Sequence, residues 1–157
     1  FFGWFVEVVA FRLAAAGDAP AGRQLADLLP GGAPGAAALR ADALRPEDLS
    51  DGKLLCALIM ALKPDSMPKA LPVALGRIAQ FQKACQQLGV RSGDLFTPPD
   101  LMPAPPKNPD LVLRCLVALA AVVRGWRDWA GPEVPLALVS AKGAGKGAGR
   151  GAARVLR

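Results

Sequence analysis

Apolar residues recur along this 157-residue chain at three- and four-residue spacings, interrupted by short polar or proline-rich stretches. That period gathers side chains on one face of a helix, because each residue turns by about 100°. Trp4, Phe5, Val8, Val9 and Phe11 predict a helix over 2–16, with Glu7 and Arg12 as charged interruptions and Gly17-Asp18-Ala19-Pro20 as its stop. Leu25, Leu28 and Leu29 predict a short helix over 21–29. Its "LADLL" has the L-x-x-L-L form of receptor-docking helices, but a small packing helix produces the same letters. "PGGAPGAAA" (30–38) reads as loop.

The densest stretch is "LSDGKLLCALIMALKPDS" (49–66). A side-chain oxygen of Ser50 or Asp51 can accept from the orphan N–H groups of a first turn. Leu54, Leu55, Leu58, Ile59 and Leu62 then line a face, and Lys63-Pro64 end the helix. A further helix over 73–88 carries Ile78, Phe81, Cys85 and Leu88 on one side and Gln80, Gln82, Lys83, Gln86 and Gln87 on the other, with Gly89 as its cap. "DLFTPPDLMPAPPKNPD" (94–110) reads as an extended connector anchored by Leu95, Phe96 and Leu101. "PAPP" (103–106) fits a P-x-x-P ligand pattern, but a packed connector explains it better. The last helix, 110–124, is capped by Asp110 and apolar nearly all round, which predicts burial at the centre. Nothing between residues 1 and 130 alternates as a strand does. The expected fold class is all-α: a bundle of about four main helices plus short one-turn helices.

Composition sharpens this picture in three places. All 13 acidic residues lie at or before Glu133, while Lys142, Lys146, Arg150, Arg154 and Arg157 follow it. Five of the six net positive charges therefore belong to a low-complexity end, able to meet anionic partners with little specificity. The domain is expected over 1–130, with 131–157 as a basic, flexible tail. Opening on Phe1, the sequence reads as part of a longer protein. Cys56, Cys85 and Cys115 are widely spaced within apolar patterns and read as reduced core thiols. No histidine is present, which removes His-based triads, Cys/His zinc sites and the usual general base.

Other chemistry is approached but not reached. The glycine-rich end "SAKGAGKGAGRGAA" (140–153) imitates a phosphate loop, but Gly145-Lys146 is followed by Gly147, and no G-x-G-x-x-G is completed. Asp42, Glu47, Asp48 and Asp51 cluster without metal-ligand spacing. "CLVALAAVV" (115–123), between Arg114 and Arg124, is too short to span a bilayer. "FFGWFVEVVAF" lacks the basic leader of a signal peptide. No enzyme, cofactor, metal site or small-molecule substrate is expected.

The order of motifs resembles the calponin homology family, nearest to the single domain of calponins and transgelins. Trp4-Phe5-Val6-Glu7 is similar to the family's Trp-Ile-Glu, and Leu49 to Cys56 to its Leu-x-Asp-Gly-x-x-Leu-Cys. Lys63 to Lys69 is similar to its x-Pro-Gly-Ser-Val-Pro-Lys, with Asp65 in place of Gly. Ile78-Ala79-Gln80-Phe81 with Gly89-Val90, then Asp94-Leu95-Phe96 with Asp100-Leu101, and finally Leu116 to Leu119 follow in family order. The resemblance covers about residues 2–124, with 17–48 as an inserted connection. It implies a cytoplasmic, cytoskeleton-associated interaction module that binds actin filaments, or alternatively microtubules or a signalling or scaffold partner. Because actin is acidic, the candidate contacts are Lys53, Lys63, Lys69, Arg77 and Lys83.

Overall fold

The computed structural model describes residues 1–16, 20–29, 44–63, 66–67, 69–102 and 106–137. Within them lie six α-helices: α1 (Phe2–Ala16), α2 (Pro20–Asp27), α3 (Lys53–Leu62), α4 (Ala74–Leu88), α5 (Pro98–Leu101) and α6 (Pro109–Arg124). Two one-turn 3-10 helices, Pro46–Leu49 and Ser92–Asp94, precede α3 and α5. The described residues contain no strand. The all-α expectation holds, with α1, α3, α4 and α6 as the long members.

The centre is α3, not the last helix. Every residue from Leu54 to Leu62 is buried, and α1, α2 and α4 all pack around it. A helix covered on all sides has no use for an amphipathic pattern, so its near-continuous apolar run follows from its position. α6 buries Val112, Cys115, Leu116, Leu119 and Val123 but leaves Leu111 exposed.

The start of α3 differs from the sequence reading in one respect. Gly52 is the N-cap, in the left-handed region at φ 77°. Asp51 Oδ1 accepts from the Lys53 N–H at 2.9 Å, as the pattern suggested, but the Ser50 hydroxyl turns away and donates to the Leu101 carbonyl at 3.2 Å. A Cβ at position 52 would stand 2.8 Å from Arg77 Cβ and 3.2 Å from the Ile78 nitrogen. Glycine is therefore required twice, by its backbone angle and by the close approach of α4.

α1 buries Trp4, Phe5, Val8 and Val9. Arg12 Nε donates to the Ala61 carbonyl at 2.8 Å, which satisfies one of the open carbonyls in the last turn of α3. The connector before α6 is tied down at Phe96, whose ring lies 6.1 Å from that of Phe81 and whose carbonyl accepts from Gln82 Nε2. α6 starts one residue earlier than expected, with Pro109 in its first turn, where a missing N–H costs nothing. Asp110 makes no cap; Asn108 precedes the helix and gives its side chain to Asp100 instead. Most of the "PAPP" stretch, Pro64-Asp65, most of the 17–48 connection and residues 138–157 lie outside the described residues.

Past α6 the chain returns over α1. Trp4 Nε1 and Trp129 Nε1 both donate to the Pro132 carbonyl, at 3.1 and 2.9 Å. Trp129 stands edge-on to Phe11 at 5.8 Å, Arg124 holds the Val134 carbonyl at 2.9 Å, and Val134 is 2% exposed. Packed chain thus runs beyond the boundary expected at Gly131, to Val134.

Candidate partner-binding surface

The five cationic candidates occupy three kinds of place. Lys53 is exposed at the first position of α3, and Lys63 is exposed at its C-cap, about 15 Å away by the helical rise. Lys69 is exposed in the loop before α4, and Lys83 on the open side of α4 itself. Arg77 is different. It is only 8% exposed, with Nε donating to the Asp51 carbonyl at 2.7 Å and an Nη to the Leu71 carbonyl at 3.1 Å. A guanidinium in this position works as a brace: it fastens the start of α3 and the loop 69–73 to one helix.

Gln80, one turn further along α4, completes the brace. Its Oε1 accepts from the Leu71 N–H at 2.7 Å and its Nε2 donates to the Lys69 carbonyl at 2.9 Å. Arg77 and Gln80 therefore set Lys53 and Lys69 at one end of the domain. Lys83, three residues beyond Gln80, lies on the adjoining turn of that helix face. Lys63 is not part of this group.

The braced loop carries features that charge alone does not reveal. Leu71, Val73 and Leu75 are 48%, 63% and 53% exposed, and Pro72 between them is exposed as well. Leu71 lies across Gly76, where a Cβ would come within 3.1 Å of its Cδ1. The sequence from Ser66 to Gly93 contains Lys69, Arg77, Lys83 and Arg91 but no acidic residue. That absence was legible as a run without Asp or Glu; the exposure of the leucines was not, since Leu71 and Leu75 also fit a helix approach.

Opposite charge gathers next to this loop. An open cleft of about 690 Å³ between α2, the Pro46–Leu49 turn and α3 is floored by Leu28, Leu29, Leu44 and Leu54. Asp27, Glu47, Asp48 and Asp51 stand at its edge with Lys53. No group of three or more metal-ligating side chains occurs among the described residues. Asp51 belongs to both regions: it lines the cleft, and its carbonyl receives Arg77.

Nucleophiles are withdrawn from this surface. Cys56, Cys85 and Cys115 are free and buried. Burial pushes the Cys56 thiol up to about 12, outweighing the attraction of Arg77, so it carries no thiolate near neutral pH. Cys85 is raised as well, first by a hydrogen bond with Cys115 and then by burial. No described helix is long and apolar enough to cross a membrane.

No solved structure matches the chain at a stringent threshold. The sequence model of the calponin homology (CH) domain matches residues 36–125, more than half of the chain, from ahead of the Pro46–Leu49 turn to the end of α6. Such domains are cytoskeletal or signalling interaction modules, in keeping with a surface of braced loops and exposed charge. On that match, and on the all-α architecture that carries it, the chain belongs to the calponin homology domain family.

Proposed function

We propose that the protein is a binding module of the cytoplasmic cytoskeleton, similar to the single domains of calponins and transgelins, and that its partner is the actin filament. The supporting observation is the acid-free run from Ser66 to Gly93. It presents Lys69 and Lys83 on an ordered scaffold, with Lys53 beside them on α3 and Arg77 holding the group in register. Lys63 is a separate, distal contact. An acidic filament surface complements such a face, and several weak charge contacts made at one site add. Lys142, Lys146, Arg150, Arg154 and Arg157 add contacts of low specificity to the same kind of partner.

Co-sedimentation over a salt series tests this reading. The protein is expected to pellet with actin filaments at low ionic strength and to release as salt rises past the range where surface charges are screened. Lys69→Glu combined with Lys83→Glu should abolish pelleting while leaving the helical signal intact. Pelleting with microtubules alone would move the assignment to that polymer. Absence of pelleting with either polymer at the lowest salt would reject a filament partner and leave a signalling or scaffold partner.

A further inference from the structure

The apolar loop and the acid-rimmed cleft lie side by side, and each is what the other lacks. Leu71, Val73 and Leu75 project from a backbone fixed by Arg77 and Gln80, so little ordering cost would accompany their burial. Three adjacent large apolar side chains about half exposed form a patch rather than scattered exposure. The patch is bordered by Lys69, with Lys83 along α4. The cleft has a leucine floor and an edge of four carboxylates against one lysine.

We infer that the chain pairs with a second copy of itself, the Leu71–Val73–Leu75 knob of each copy entering the acid-rimmed cleft of the other. The occupant is argued from charge and shape together: a cation-bordered projection fits an anion-bordered hollow, and one surface carries both. Because Asp51 at the cleft edge is joined through Arg77 to Leu71 at the knob, the two halves adjoin. Adjoining patches allow a two-fold arrangement in which each copy gives and receives once, and the inferred product is that closed dimer; a mass that rises past twice the chain's would mean head-to-tail growth instead. Lys69 and Lys83 of one copy then face Asp27, Glu47 and Asp48 of the other, so pairing competes with filament binding for the same two lysines, and it weakens as salt rises.

The test uses the full chain in sedimentation equilibrium over a concentration series at low and high salt. The mass is expected to rise from 16.3 kDa toward twice that value with concentration at low salt, and to do so less at high salt. Val73→Asp changes the N-cap of α4 to a favourable capping residue, so it keeps the fold while placing a carboxylate on the knob. Glu47→Lys reverses an exposed charge at the cleft. Each variant alone should pair at least about tenfold more weakly than the parent. An equal mixture of the two should regain dimer. An intact knob then meets an intact cleft, and the carboxylate introduced on the other knob meets the ammonium introduced at the other cleft. A parent chain that stays at 16.3 kDa throughout overturns the inference, as does a dimer indifferent to both substitutions or a mixture that fails to recover.

Discussion

Arg77 shows how far a residue's type can mislead about its role. As a letter in the sequence it is a surface cation; in the structure its donors serve the carbonyls of Asp51 and Leu71. Nothing local in the sequence announces this, because backbone carbonyls as acceptors leave no mark on side-chain identity. Arg77→Met should lower the unfolding free energy by about 1–3 kcal/mol in urea titrations, since two enclosed carbonyls lose charged donors. Gly52→Ala should cost roughly 1–3 kcal/mol from the backbone angle, with more from the clash at Arg77 Cβ. A result within about 0.5 kcal/mol of the parent, the range of an ordinary surface substitution, would mean that neither the backbone angle nor the approach of α4 constrains that turn.

Two titratable groups link residues to pH. The folded-state Cys56 thiol is raised to about 12, above its value of 9.0 in an open chain. Its contribution to stability is therefore complete below about pH 9 and is lost as pH climbs toward 12. Alkylating reagents at about pH 8, below the ordinary thiol range, should label it only as fast as the domain opens. Asp100 runs the other way. The Thr97 N–H, the Asn108 side chain and the Thr97 hydroxyl hold its carboxylate below the usual range. The support it gives to the loop between α5 and α6 is present above about pH 4 and is lost as pH falls further. Protection of the Asn108 and Leu111 amides, taken relative to their intrinsic exchange rates, should fall in that acid range and should not change with pH in Asp100→Asn.

At the scale of elements, the four long helices were legible from their apolar period, and α3 was legible as a helix but not as the centre. Apolar fraction separates a buried helix from a surface one only when alanine and leucine are weighed by what surrounds them, and that is a tertiary property. The return of the chain over α1 was not legible at all. Trp126, Trp129, Pro132 and Val134 follow no period, and their order depends on partners as far away in sequence as Trp4. Glycine at 131 fits there, because a Cβ would collide with the edge of the Trp129 indole at Cζ2. Gly131→Ala should detach this segment while sparing the helices, and Val134→Ala should cost about 0.5–1.5 kcal/mol or more as a buried truncation. Thermal melts followed by circular dichroism would check both.

For the molecule as a whole, charge is arranged more informatively than its total. The +6 of the chain sits largely in residues 142–157, while the folded part sets the cations of an acid-free stretch beside an acid-rimmed cleft. The basic end and the cationic face can be separated by a cut after Ala137, which preserves Val134 where a cut at Gly131 would remove it. The shortened chain should keep its helical signal and its salt-sensitive filament pelleting, and should lose most of its association with anionic vesicles. If pelleting disappears with the cut, the tail and not the α4 face is the contact. The candidate cations were legible as residue types, but which of them share one end of the domain was set by Gln80 and Arg77, whose amide and guanidinium bridges depend on the loop coming back to α4.

The seam between α1 and the returning chain has an optical consequence. The protein has three tryptophans and no tyrosine, and Trp4, Trp126 and Trp129 all stand at that seam. Its near-ultraviolet absorption and emission therefore arise almost wholly from one edge of the fold, remote in sequence from the α4 face. Intrinsic fluorescence would follow the release of that edge without any added label. It should stay nearly constant when a ligand settles on Lys69 and Lys83, and a shift in emission would signal that binding is felt across the bundle.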